Sequence, residues 1–491
     1  MYFIGIDVGT SATKLLLMDE GGGVRSVVSR RYPTAMPQPG WSEQDPDDWW
    51  DAVCDGIPEL LEGIDASQVA GMGCCGQMHG LVTLDGRDRV IRPAILWNDS
   101  RSRYQVGCLN RDIGREAIAR YTGNVAYVGF TAPKLLWLRE EEPEHFSAIR
   151  KIMLPKDYVT FRLTGEYVTD YSDASGTLLL DVRNRCWSKH MLGLCGLWRA
   201  KMPRLCESWE EVGTLLPQVA DRLGLPRTVR VCAGAGDNAS AAVGAGAVGE
   251  GSCNIVLGTA GTILMNMASY HEDKDNKLHC FCNAEGGWNL MGCILTAAGC
   301  NEWWMGNVLQ TEDYTAEQGA ISLEGLGQND VFFLPYLMGE RTPHNDPRAR
   351  GAFVGMCATS TRADLTQAVL EGVAFALRDC ACIAREEELD VSSSTICGGG
   401  ARSRLWLSII SDVLGIPLRI TQTEQAPALG AAMLASVCCG AYGDVAGCAR
   451  ALVHTKGTVE PDRKVVSLYN GRYDTWRRIY PALRGVFQEI M

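Results

Sequence analysis

IDVGTSATKLLL (residues 6–17) and IVLGTAGTILMN (255–266) are two versions of one pattern, about half a chain apart. Each reads as an apolar strand, a Gly-Thr turn and a returning strand. In the first, Tyr2–Val8 is a strand, Gly9-Thr10-Ser11 the turn and Thr13–Met18 the return. A second turn at Glu20–Gly23 leads into a third strand, Val24–Tyr32, so the N-terminus is an antiparallel meander and not a strand entering a helix. In the second, Cys253–Leu257 and Thr262–Met267 flank Gly258-Thr259-Ala260-Gly261. The recurrence predicts an internal repeat of domain size, with domains 1–246 and 247–491. A length of 491 residues also favours two cores over one.

Outward from the first hairpin, Asp45-Pro46 reads as a helix N-cap and first helical residue, with Asp47 and Asp48 suited to the positive end of the helix dipole. Trp49, Val53, Ile57, Leu60 and Leu61 give that helix a buried face, and Pro58 is expected to kink it or end it early. The Gly- and Ala-rich stretch 234–249 reads as the join between domains, with a closing hinge near 245–255. An amphipathic helix is expected at Leu468–Met491.

Composition narrows the classes. The net charge is −12 and no basic stripe is visible, which excludes nucleic acid and anionic membranes as favoured partners. No apolar run reaches the ~20 residues of a membrane helix, and the N-terminus enters a strand directly, so a cytoplasmic protein is expected. The 20 Cys residues show no paired C-x-x-C and read as reduced, buried thiols. The 7 His residues show no metal-ligand spacing.

Three segments carry chemistry. Asp7 ends a strand beside Gly9, Thr10 and Ser11; such a hairpin offers N–H and O–H donors to phosphate while the carboxylate can hold Mg²⁺. Asp237, flanked by small residues before a helix, can face a cleft and accept the proton of an attacking hydroxyl, or simply cap that helix. Gly398-Gly399-Gly400 precedes a helix and lets a flat ligand lie against backbone. Two other motifs fail. Gly71–Gly76 matches G-x-G-x-x-G, but no helix follows. No G-x-x-x-x-G-K-[ST] is present, which excludes a P-loop. His79, taken alone, reads as an ordinary satisfied polar residue.

Together the segments resemble the FGGY carbohydrate kinases, relatives of actin, hexokinase and the heat-shock ATPases, over essentially the whole chain. GIDVGTSATK, GWSEQDPDDWW, GFTAPKLLWLREE, LPKDYVTFRLTGEYVTDYSDASGT, GAGDN, LGTAGT, GAFVGMCATSTRADLTQAVLEG and GGGARSRLW occur in the family's order. The resemblance implies an α/β fold of two actin-like (ribonuclease H-like) domains with a cleft between them. It implies ATP and Mg²⁺, a small-molecule sugar as partner, and a homodimer. Gln77-Met78-His79-Gly80 looks like the sugar loop of members acting on D-xylulose, with Trp97, Asp99 and Arg101 beside it. By the same carry-over Asp237 is the base, Asn238 a sugar ligand, and Asp7 with Asp237 the metal site. Gly9, Thr10, Ser11, Thr13, Gly258, Thr259, Gly261 and Thr262 would face the phosphates. Gly399, Gly400, Ala401 and Ser403 would face the adenosine.

The chain departs from the family pattern at Ser403, where Asn is common, at Ala260, where Ser is frequent, and at Gln425-Ala426. The resemblance also admits another sugar or polyol (gluconate, ribulose, L-xylulose, glycerol), or a non-catalytic sugar-binding regulator. A chaperone or filament ATPase would leave the sugar-loop match unexplained.

Overall fold

The computed structural model describes residues 1–271 and 273–490. Two seven-stranded sheets organise it. The first holds β1 (Tyr2–Val8), β2 (Ala12–Asp19), β3 (Val24–Arg31), β4 (Val69–Gly76), β5 (Glu211–Thr214), β6 (Arg230–Cys232) and β7 (Ala235–Gly236). Its order is β5-β6-β4-β1-β2-β3, with β7 also paired to β4. The second holds β8 (Cys253–Leu257), β9 (Gly261–Met267), β10 (His279–Cys282), β11 (Trp288–Ile294), β12 (Ser394–Cys397), β13 (Leu418–Thr421) and β14 (Thr455–Val459). Its order is β10-β11-β9-β8-β12-β13-β14.

The two sheets repeat each other. In each, an antiparallel meander (β1–β3; β8, β9, β11) adjoins two parallel strands (β4, β6; β12, β13) and then an antiparallel edge strand (β5; β14). The repeat read from two short hairpins is therefore a repeat of whole sheets, and the α/β class with two domains stands.

Helix α1 (Pro46–Leu60) starts where Asp45 caps it, accepting from the Asp47 N–H at 3.0 Å. It runs through Pro58 and ends within a turn of it. Its buried Trp49, Val53 and Ile57 share a core with Leu15 and Leu17 of β2 and Val28 of β3, the strands it packs on. The other face of the sheet, with Phe3 and Gly5 of β1, meets a helix from the far end of the chain. Between them come α2 (Thr131–Glu141), α3 (Tyr171–Ser175), α4 (Asp237–Gly244) and α5 (Arg404–Leu414).

That far helix is α6 (Ala426–Cys438), which lies on the first sheet although it belongs to the second half of the sequence. A Cβ on Gly5 would fall 1.8 Å from the Ala428 carbonyl oxygen, and one on Gly73 2.3 Å from that of Ala431. Gly71 and Gly73 of the apparent nucleotide fingerprint are strand residues that seat this helix, and Gly76 packs on Val8 and Lys156. α4 and α6 also cross in backbone contact: a Cβ on Gly430 would lie 1.9 Å from the Ser240 carbonyl oxygen, and Ser240 donates to the Pro427 carbonyl at 2.7 Å. Between α4 and β8, Gly246, Gly249 and Gly251 all have positive φ, a bend that residues with a Cβ rarely adopt.

The C-terminal amphipathic stretch is two helices, α7 (Arg463–Trp476) and α8 (Ile479–Glu489). Both dock on the second domain: Trp476 donates to the Phe333 carbonyl at 2.8 Å and Tyr480 to Asp346 at 2.8 Å. All twenty cysteines are free thiols, fourteen of them buried. Among the described residues no helix is long and apolar enough to cross a membrane.

Candidate active site

Asp7 and Asp237 form the centre. Asp7 is the penultimate residue of β1 and pairs across the hairpin with Lys14. Asp237 opens α4, held there by Gly236, whose N–H donates to Ser172 Oγ at 3.0 Å. Asp7 is buried and Asp237 half-buried. Burial pushes Asp237 up to about 7, with the Asp7 charge adding to it, against the hydrogen bonds from Asn238. Burial raises Asp7 to about 6, opposed by Lys14 and by a hydrogen bond from the Cys75 thiol. Two facing carboxylates without a compensating cation are an unfavourable pair. Their oxygens are the donor type that a hard divalent ion takes, with phosphates and water completing its shell.

Asn238 joins three parts. Its N–H and Nδ2 both donate to Asp237 Oδ1, at 2.7 and 2.9 Å. Its Oδ1 accepts from Thr262 Oγ1 of β9 at 3.3 Å, which brings the second hairpin to the base. Its Nδ2 lies 4.0 Å from Met78 Sδ, which brings in the sugar loop. Thr10 Oγ1 accepts from Trp97 Nε1 at 3.0 Å and donates to Gln77 at 3.1 Å, so the first hairpin is tied to that loop too.

His79 is held unusually firmly. Its φ is +70°, a strained region for a non-glycine residue. Thr131 Oγ1 and Lys134 Nζ of α2 both donate to its carbonyl, at 3.0 and 2.8 Å. The ring stacks on Phe130 at 4.8 Å, and Nδ1 donates to the Gly176 carbonyl at 2.7 Å. That bond fixes the tautomer and leaves Nε2 an acceptor. Burial lowers the ring to about 3, so it is neutral. Burial likewise brings Lys134 down to about 7. Lys134 and Thr131 were not singled out from sequence; the signal was a lysine followed by Leu135-Leu136-Trp137-Leu138.

Not every expected ligand residue faces the cleft. Asp99 accepts from the Ser42 N–H at 2.6 Å and from Arg101 Nη2 at 2.7 Å. Arg101 also pairs with Glu43 at 2.6 Å and lies over Trp41 at 3.7 Å. Both are fully buried, because a charge without solvent needs such partners; they brace the wall behind the sugar loop. Gln77 bonds Gln44 at 2.9 Å under the first hairpin. Gly80 packs on Pro155. Thr13 is buried against Tyr32. Gly9, Thr10 and exposed Ser11 remain at the hairpin tip, as do Gly258 and exposed Thr259 in the second; Gly261 is buried on Ile294.

The glycine loop sits beside the second hairpin. A Cβ on Gly400 would lie 2.5 Å from Leu257 Cδ2, whereas Gly399 has nothing within 4 Å. Ala401 is half-buried next to it. Ser403 caps α5 through the Trp406 N–H at 3.1 Å and donates to Gln318 at 2.5 Å, so its hydroxyl is occupied.

Comparison with known proteins gives the family. The N-terminal domain of the FGGY family of carbohydrate kinases matches residues 2–244, and its C-terminal domain residues 253–439. The chain belongs to the FGGY family of carbohydrate kinases. Within that family it is 40% identical over 483 residues to the xylulose kinase of Escherichia coli (strain K12), covering 98% of this chain and 99% of that one. The solved structure of a "xyloylose kinase" from Brucella ovis superposes with a TM-score of 0.93 at 38% identity, covering 99% and 100% of the two chains. A gluconate kinase from Lactobacillus acidophilus superposes with a TM-score of 0.94 at 27% identity, covering 100% and 99%. An FGGY kinase transfers phosphate to a carbohydrate hydroxyl, and around Asp237 this chain brings together Asn238, the two Gly-Thr hairpins and the Gln77–Gly80 loop.

Proposed function

We propose that the chain converts ATP and D-xylulose to ADP and D-xylulose 5-phosphate. The observation that carries this is the half-buried Asp237 carboxyl at the start of α4, held by Asn238, which also meets Met78 of the sugar loop and Thr262 of the second hairpin. The sugar's terminal hydroxyl gives its proton to Asp237 as its oxygen attacks the γ-phosphoryl group. The transition state is loose, so holding that oxygen in line matters as much as basicity. Asn238 fixes the orientation of the carboxylate. His79 Nε2 accepts from a sugar hydroxyl, and neutral imidazole suits that role. Asp7 and Asp237 would hold Mg²⁺ brought by MgATP, and the ion would offset phosphate charge. Thr259 and Thr262 face the phosphates, and Gly399 lies against the adenosine. Closure about residues 245–255 excludes water, the competing acceptor. The reading includes a cytoplasmic homodimer, and the free thiols support that setting.

A second reading keeps the chemistry and changes the sugar. The gluconate kinase likeness favours it, since one fold accommodates both acceptors and a few pocket contacts decide between them. The test is ADP release with MgATP across D-xylulose, L-xylulose, D-ribulose, L-ribulose, gluconate, glycerol and no sugar. A clear preference for D-xylulose is expected. Preference for another member overturns the sugar assignment, and release no faster than without sugar throughout overturns the kinase reading for the panel.

A further inference from the structure

The donors around the sugar loop are nearly all occupied. Trp97 Nε1 serves Thr10, Lys134 serves the His79 carbonyl, and Asn238 Nδ2 serves Asp237. Asp237 and His79 Nε2 are acceptors. Together these groups receive hydroxyls well, but a ketose also carries a carbonyl oxygen, which accepts and cannot donate. Something must donate to it.

Arg341 is the charged donor left over. Its guanidinium lies over the Tyr127 ring at 5.4 Å, and it has no hydrogen-bond or carboxylate partner among the described residues. None of its nitrogens is among the buried, unpartnered polar atoms of the described residues, so the guanidinium is open to solvent and to the acceptors of a ligand. The backbone beneath it is rigid. Glu340 Oε1 accepts the Arg341 N–H at 2.7 Å and that of Leu295 at 3.0 Å. The next residue, Thr342, donates its N–H to the Cys293 carbonyl at 3.1 Å and accepts the Cys293 N–H on Oγ1 at 3.1 Å. Glu340 does not neutralise the arginine: burial raises its carboxyl to about 8.

Arg341 also lies where the far end of a sugar would be. From Asp237 the chain of neighbours runs through Asn238 and Met78 to His79, then by ring stacking to Phe130. Beside Phe130, a Cβ on Gly129 would be 2.6 Å from the Trp97 carbonyl oxygen and 3.8 Å from Arg341 Nη2. So the arginine reaches from the second domain to the wall of the first that carries the sugar loop. The same corner holds His279, buried, with no partner for either ring nitrogen among the described residues.

We propose that Arg341 donates to the carbonyl end of the ketose from the second domain, opposite the end that Asp237 activates. This rests on the ketose reading above. Recognition then requires both domains, and a substrate lacking the carbonyl loses the arginine's contribution.

The test is steady-state kinetics of the full chain with D-xylulose and with xylitol, in which C2 bears a hydroxyl. Wild type, Arg341→Gln and Arg341→Lys are compared, with ATP affinity measured separately without sugar. Arg341→Gln is expected to raise KM for D-xylulose roughly 10- to 100-fold, the scale of a charge-assisted hydrogen bond, and to narrow the D-xylulose to xylitol ratio of kcat/KM. ATP affinity stays unchanged. Arg341→Lys keeps the charge but not the fork and shows a smaller shift in the same direction; it decides the matter if the Gln variant does not fold. Unchanged KM and unchanged ratio in a folded variant overturn the proposal. A wild type inactive on D-xylulose overturns the substrate reading instead, so the two failures are distinguishable.

Discussion

The hairpins at Gly9 and Gly258 share a backbone and differ in charge. Two residues before each glycine stands Asp7 in the first and Val256 in the second. Asp7 faces Asp237 and raises its pKa; Val256 packs with Ala241, Ala245, Cys397 and Ala426. Duplication repeated a phosphate-shaped turn, and only one copy carries a carboxylate. In the proposed reaction the first domain is thereby the chemical one and the second the nucleotide one.

Erasing the difference should produce the largest effect. Asp7→Val gives the first hairpin the residue of the second and is expected to lower kcat roughly 10²-fold or more, the scale of losing one preorganised electrostatic contact. Its ATP affinity without metal should be nearly unchanged. A variant with normal kcat breaks the contrast between the two hairpins.

The glycines sharpen the same comparison. Gly73 touches the α6 backbone, and Gly399 faces open space. Gly73→Ala is expected to cost about 1–3 kcal/mol, as overpacking does, seen as a lower Tm. Gly399→Ala should leave Tm within the roughly 0.5 kcal/mol range of surface changes while raising KM for ATP. The reverse pattern would exchange their roles.

Stability against pH gives a smaller signal. The folded Asp237 carboxyl, near 7, lies above its unfolded value, so the folded state binds the extra proton in between. Its stabilising contribution is full below about pH 4 and is lost as pH rises through 7. Asp237→Asn is therefore expected to raise Tm more at pH 8 than at pH 5. An equal change at both would show that the carboxyl is not raised.

Much of this was legible in the sequence because it is local. Strand, Gly-Thr turn and returning strand occupy a dozen residues, and Asp7 and Asp237 stand beside glycines that clear the way to a ligand. What was not legible is long-range. No local pattern places α6 on the first sheet, over 400 residues from Gly5, although the glycines that admit it were visible. Asp99 and Arg101 were placed with the sugar loop by the family resemblance; their burial against Ser42, Glu43 and Trp41 shows them bracing the wall behind it. Arg341 lies in a loop whose spacing signals nothing, and only the packing shows its guanidinium without a partner.

The most direct test is turnover of Asp237→Asn with MgATP and saturating D-xylulose, beside wild type and with nucleotide binding measured on the same sample. The expected result is a loss of about 10²-fold or more in kcat, the scale of a general base, with ATP bound as tightly as before. Near-normal turnover in a variant that binds ATP would remove Asp237 from the centre of the reaction and contradict the account.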